Sequence, residues 1–230
     1  MKIFDDKASV SIKSQKIKEI ILLIATFVVV PLFSMLVTLV REERPVSTSM
    51  SRIAWVDKDF ALVALWGLFN MANFIYALCL VVKSGGYNDK WKKFFIISAG
   101  FAALCMTVGL SIPAYYSETD IKLIQMRTAH VVISGAGLFY YVAECCLLAL
   151  TLIKRNKRQF MLSAGMCLLM IFGVLFALLY VNDPTGYCFC STVTQLFLFG
   201  VCNVFMTIQY YFMTQFKPEG GNAVPKTNKC

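Results

Sequence analysis

Six long apolar runs, separated by short polar connections, limit what this 230-residue chain can fold into. The runs are Ile20–Val40, Phe60–Val82, Phe94–Tyr115, Ala129–Ile153, Phe160–Tyr180 and Thr192–Met213. Each run is long enough to be a membrane span, since a helix of about 20 apolar residues crosses the hydrocarbon core of a bilayer. We therefore predict an all-α polytopic membrane protein, an up-and-down bundle of six transmembrane helices over residues 20–213. A polar N-terminal tail (1–19) and a disordered C-terminal tail (214–230) are predicted to flank it.

The composition argues against a soluble helical protein. Hydrophobic residues make up 58% of the chain and charged residues 15%, whereas a soluble domain has roughly 45–50% and roughly 25%. The runs are apolar nearly all round, and a soluble protein would need a far longer chain to cover six such helices.

The basic residues alternate between the two ends of the predicted bundle. Of the 22 Lys and Arg, sixteen lie in the N-terminal tail, the second and fourth connections and the C-terminal tail. This is the pattern of the positive-inside rule, so both termini are predicted to be cytoplasmic. We expect these basic rims to contact anionic lipid headgroups, and we predict no nucleic-acid partner.

Glu144 is the most informative polar residue of the six runs, because it lies deep within the fourth run. A charge at that depth costs roughly 3 kcal/mol on insertion scales, so the side chain must face the bundle, be protonated or be paired. By depth, Asn70 and Asn73 of the second run and Asn203 of the sixth run are its candidate partners. We predict an intramembrane polar cluster of these four residues, with a functional role or a role in packing as open alternatives.

The only histidine, His130, opens the fourth run, with Arg127 just before it and Ser49 in the first external connection. A single histidine at a helix end typically caps the helix or lies at the interface. The alternative makes His130 a general base for a Ser49 nucleophile near Arg127, with an acid from an external connection orienting it. His130 and Glu144 are about 21 Å apart along one helix and cannot touch.

The nine cysteines do not form a metal-binding motif. Six fall inside predicted helices, where cysteine acts as a small apolar residue. Cys188 and Cys190 lie in or beside the fifth connection, and whether they form disulfides is left open. We predict no metal and no cofactor.

Two short segments resemble a known family. They are Gly109-Leu110-Ser111-Ile112-Pro113, which closes the third run, and Ala129-His130-Val131-Val132-Ile133-Ser134-Gly135, which opens the fourth. Together with the helix order and the serine-rich first connection, they resemble the damage-regulated autophagy modulator family and its six-helix relatives, uncharacterised prokaryotic members included. The Asp-Gly that often follows the first-connection serines of the autophagy members is missing. The resemblance implies six helices and a role related to membrane lipid.

Three functions follow as hypotheses. The first is a non-enzymatic modulator of membrane lipid organisation or trafficking, whose partners are membrane lipids, other membrane proteins or a second copy of the chain. The second is a small-solute or proton-coupled transporter that uses Glu144. The third is an intramembrane lipid hydrolase or acyltransferase that uses His130. The predicted location is a multi-pass position in a membrane, the plasma membrane or the endolysosomal membrane if the source is eukaryotic.

Overall fold

The computed structural model describes residues 14–41, 50–55, 59–113, 119–153, 156–179 and 192–215. These residues form seven helices: α1 (residues 14–41), α2 (Met50–Trp55), α3 (Phe60–Ser84), α4 (Asp89–Ser111), α5 (Ile121–Thr151), α6 (Lys157–Leu179) and α7 (Thr192–Gln215). Six of them, all but α2, are long and apolar enough to cross a membrane. The prediction of an all-helical chain with six candidate membrane spans is confirmed, and no strand occurs in the described ranges. Ser49, Cys188, Cys190 and most of the two predicted tails lie outside the described residues.

Four helices begin earlier than the apolar runs indicate, and α1 and α5 extend the furthest beyond them. Helix α1 already includes Ser14, so residues 14–19 of the predicted polar tail are helical. Helix α5 begins at Ile121 instead of Ala129, because the Asp120 carboxylate accepts hydrogen bonds from the backbone N–H groups of Lys122 and Leu123. This N-cap satisfies donors that the first turn leaves unpaired, so the helix can begin in a segment of mixed polarity that precedes the apolar run. At α4, the side-chain oxygen of Asn88 caps the helix and accepts a hydrogen bond from the backbone N–H of Trp91.

Helix α1 contains a proline, Pro31, in its interior. The structure has a π-helical turn over Ala25–Val29, immediately before this proline, in which the N–H of Val30 bonds to the carbonyl of Ala25. A proline inside a helix removes one backbone donor and clashes with the preceding turn. A wider turn is one way for the chain to absorb that conflict without ending the helix.

Helices α3 and α7 form the centre of the bundle. Of their apolar windows, 44% and 56% of the residues are buried, compared with 22% in α1, α4 and α6. Helix α3 packs on α1, α2, α4 and α7. Helix α7 packs on α1, α3, α5 and α6. Side chains on these two helices are therefore surrounded by protein, whereas the outer faces of α1, α4 and α6 are turned away from it.

Helices α4 and α5 approach closely at two glycines. A Cβ added to Gly109 would meet Oγ and the backbone of Ser134, and one added to Gly137 would meet Met106 and the carbonyl of Ala102. The small residues of these two helices therefore serve close packing, as expected for helix pairs in membranes. This contact sets the distance between the helices that carry Glu144 and its neighbours.

Candidate intramembrane polar site

Three asparagines join the two central helices. The Asn73 side-chain amide on α3 donates to Oδ1 of Asn203 on α7, with 2.8 Å between the two atoms. The Asn203 amide in turn donates to Oδ1 of Asn70 at 3.2 Å and to the carbonyl of Phe199 at 2.9 Å. All three asparagines are buried. The structure therefore brings together three of the four residues in the predicted intramembrane cluster.

Two threonines extend this network to α1. The Asn73 amide also donates to Oγ1 of Thr26 at 3.0 Å, and the hydroxyl groups of Thr26 and Thr207 are 2.9 Å apart. Thr207 also donates to the carbonyl of Asn203, one turn earlier on α7. Sequence reasoning missed both threonines, because a threonine in an apolar run gives no signal about the direction in which it points. The signal that could have found Thr26 is its position just before Pro31, where α1 departs from a regular helix.

A separate polar contact ties α6 to α7. The Gln209 amide donates to the hydroxyl of Ser163, with 2.6 Å between the two atoms, and both side chains are fully buried. Interhelical hydrogen bonds in membranes contribute about 0.6 kcal/mol each on average. Such contacts therefore act mainly by fixing the rotation and depth of each helix in the bundle.

Glu144 lies outside the asparagine network. Its side chain is only 1% exposed, and it lies beside Ser98 and the backbone of Ala99 on α4. Neither carboxyl oxygen, however, meets the distance and angle of a hydrogen bond. The residue is therefore buried as expected, but the structure does not join it to Asn70, Asn73 or Asn203.

A second polar atom without a partner lies one turn away on the same helix. The Tyr141 ring is buried against Phe74 at a centroid distance of 4.1 Å, and its hydroxyl has no hydrogen bond. Tyr141 lies close enough to Glu144 for the two to interact electrostatically. Because buried polar atoms are nearly always hydrogen-bonded, two unpartnered side chains one turn apart on α5 need an explanation.

His130 has a structural role at the opposite end of α5. Its Nδ1 atom lies 2.7 Å from the carbonyl oxygen of Gly109 and 3.1 Å from that of Ile112. Both partners are acceptors, so Nδ1 carries a hydrogen and donates it. His130 therefore caps the C-terminal end of the neighbouring helix α4, and not the start of its own helix α5, which is capped by Asp120. Arg127 lies three residues before His130 and is partly buried. Ser49, the candidate nucleophile, is outside the described residues.

In the described part of the chain, no three His, Cys, Asp or Glu side chains are arranged to hold a metal ion. No protein-family model, curated protein or solved structure matches the chain. The likeness to the damage-regulated autophagy modulator family therefore stays a prediction from sequence.

Proposed function

We propose that this chain is a non-enzymatic, multi-pass membrane protein that modulates lipid organisation or trafficking by binding lipid or a membrane partner. The supporting observation concerns its nine buried polar or charged residues in the described ranges. Eight of them hydrogen-bond to another helix, and only Glu144 does not. Polar side chains of this interior hold helices together, which suits a rigid scaffold more than a reaction site.

The outer surface supplies the lipid contacts in this proposal. Large apolar side chains point outward along α1, α4 and α6, for example Leu32, Ile97 and Phe172, with exposures of 59%, 70% and 66%. Exposed basic residues lie where α3 meets α4 and α5 meets α6, among them Lys83, Lys93, Lys157 and Arg158. A ring of basic residues beside an apolar belt attracts anionic headgroups, with about 1 kcal/mol per charge near the surface. This supports the proposed orientation with both termini in the cytosol. The proposed location is the plasma membrane or an endolysosomal membrane if the source is eukaryotic.

Reconstitution tests the proposal directly. The full chain is placed in liposomes that contain a photoactivatable anionic phospholipid, and lipid cross-linking, lipid turnover and solute flux are measured on the same preparation. We expect cross-links to residues on the outer faces of α1, α4 or α6, without turnover or flux. Turnover of labelled lipid that disappears in His130→Asn, a variant that keeps a donor for the α4 cap, would overturn the non-enzymatic proposal.

The orientation is tested separately, by reaction of terminal tags with a membrane-impermeant reagent in intact cells. We expect neither tag to react until the membrane is permeabilised. A tag at either terminus that reacts from outside would contradict the cytosolic placement.

One observation favours a second candidate function, proton-coupled transport through Glu144. This carboxyl is the ionisable acid of the described interior whose two oxygens both lack a hydrogen bond, and ionisable residues inside membranes typically mark ion or proton pathways. In liposomes with an internal pH-sensitive dye, a transporter would give a proton flux that is lost in Glu144→Gln. The variant keeps the size and shape of the side chain, so equal flux in both proteins would eliminate this candidate.

A further inference from the structure

Four thiols and one thioether lie together where α5, α6 and α7 meet. Cys145 and Cys146 are on α5, Cys167 and Met170 are on α6, and Cys202 is on α7. The Cys202 thiol donates to Sδ of Met170 with 3.3 Å between the sulfur atoms. The Cys202 thiol also contacts that of Cys145, and Cys146 contacts Cys167. Sequence analysis did not reveal this cluster, because each cysteine alone resembles a small apolar residue.

Most of the cluster is buried, although Cys146 is only partly so. Cys145, Met170 and Cys202 are at most 1% exposed, and all four cysteines are free thiols. The two other described cysteines, Cys79 and Cys105, are more exposed. A thioether can bind a metal ion, but it cannot form a disulfide. The contact of Met170 with Cys202 therefore favours metal binding over disulfide formation as the role of the cluster.

We propose that Cys145, Cys202 and Met170 form a binding site for a soft monovalent metal ion, Cu(I). Thiolate and thioether sulfurs are the ligands that favour Cu(I). A structural zinc site has four ligands, whereas Cu(I) accepts two or three. The proposed set contains only two residues of the His, Cys, Asp and Glu types, so it differs from the groups of three such residues that are absent from the described part of the chain.

Charge balance favours a monovalent ion at this depth. One thiol loses its proton when it binds the ion, so R–SH and Cu(I) give R–S–Cu(I) and a proton that leaves to bulk water. The site then stays neutral, with the second thiol and the thioether as neutral ligands. A divalent ion with one thiolate would leave a net positive charge, which the apolar interior disfavours. No electron is transferred in this step, so it needs no oxidant.

The test uses the full chain in detergent under anaerobic, reducing conditions. Ser replaces the cysteines outside the described residues, so that a Cys188–Cys190 pair does not bind the ion instead. Cu(I) or its redox-inert analogue Ag(I) is added, the protein is desalted, and metal per chain is measured by mass spectrometry. We expect one tightly held ion per chain and no retained zinc.

Two variants locate the ion. Replacement of Cys145 and Cys202 by Ser should weaken binding at least tenfold in competition with a chromogenic Cu(I) chelator, while replacement of Cys79 and Cys105 should leave it unchanged. Met170→Leu conserves volume and should fold, yet bind more weakly, which keeps the test valid if the double variant is unstable. Equal binding by Met170→Leu and by the parent chain would overturn the proposed ligand set. Absence of retained metal, with a Cys145–Cys202 disulfide forming in hydrogen peroxide, would instead show a thiol pair and refute the site.

Discussion

The partner-free carboxyl of Glu144 and the bonded amide of Asn203 predict opposite responses to the same kind of substitution. Glu144→Met removes two buried oxygens that have no hydrogen bond, and an unsatisfied buried polar group costs about 1–3 kcal/mol. Methionine has a similar length and leaves no large cavity. We therefore expect Glu144→Met to raise the free energy of unfolding by about 1–3 kcal/mol.

Asn203→Leu should lower the free energy of unfolding. It breaks the contacts with Asn73 at 2.8 Å and Asn70 at 3.2 Å, which contribute about 0.6 kcal/mol each on average. Their loss also leaves both partner amides with fewer hydrogen bonds in an apolar interior, which brings the expected decrease to about 1–3 kcal/mol.

Steric trapping in lipid bicelles measures both free energies without a denaturant extrapolation. Glu144→Gln is the matched control, because it keeps a buried polar group of the same shape and should change stability less than Glu144→Met. If Glu144→Met destabilised the bundle as much as Asn203→Leu, the carboxyl would be a structural hydrogen-bonding group and our reasoning about it would fail. A Glu144→Met variant that is more stable but has lost proton flux would show that the carboxyl is retained for function at the expense of stability.

Three further predictions concern the ends and contacts of α4 and α5. Gly109→Ala should destabilise the bundle by about 1–3 kcal/mol more than Gly100→Ala. A Cβ at position 109 would come within 2.9 Å of the backbone nitrogen of Ser134, while a Cβ at position 100 would meet nothing within 4 Å. Equal thermal stabilities of the two variants would contradict this. His130→Ala should lose about 1–2 kcal/mol of unfolding free energy by uncapping α4, and His130→Asn should recover part of it; no recovery would argue against the cap. Asp120→Ala should speed hydrogen exchange in the first turn of α5 by removing about 1 kcal/mol of N-cap stabilisation, and unchanged exchange there would refute this role.

The number of candidate membrane spans could be predicted because bilayer thickness imposes a length on each span. Six runs of the required length gave six candidate spans, whereas the short helix α2 was not predicted. The start of α5 was placed eight residues too late, because the segment before Ala129 mixes polar and apolar residues and its first turn is capped by Asp120. Apolar length therefore predicts where a chain can cross the membrane, but not where its helix begins.

Depth in the membrane could be read from the sequence, but the direction of a side chain could not. Counting residues from the helix ends placed Asn73 and Asn203 at similar depth, and the structure bonds these two amides directly. The same count placed Glu144 near them, yet its carboxyl lies beside Ser98 on α4. A helix that is apolar on every side carries no pattern that fixes its rotation, so depth alone cannot distinguish a partner from a residue that faces elsewhere.

That missing rotational information also explains why the sulfur cluster was not visible in the sequence. Cys145 and Cys202 are 57 residues apart and lie in runs where neither differs in polarity from its neighbours. Only the packing of α7 against both α5 and α6 brings their thiols to one another and to Met170. In a bundle of this kind the chemistry therefore depends on helix rotation, and the interhelical bonds of the asparagines and threonines help to set that rotation. We infer that replacement of Asn203 should weaken Cu(I) binding at the proposed metal site as well as lower the free energy of unfolding, since Cys202 is its direct neighbour on α7.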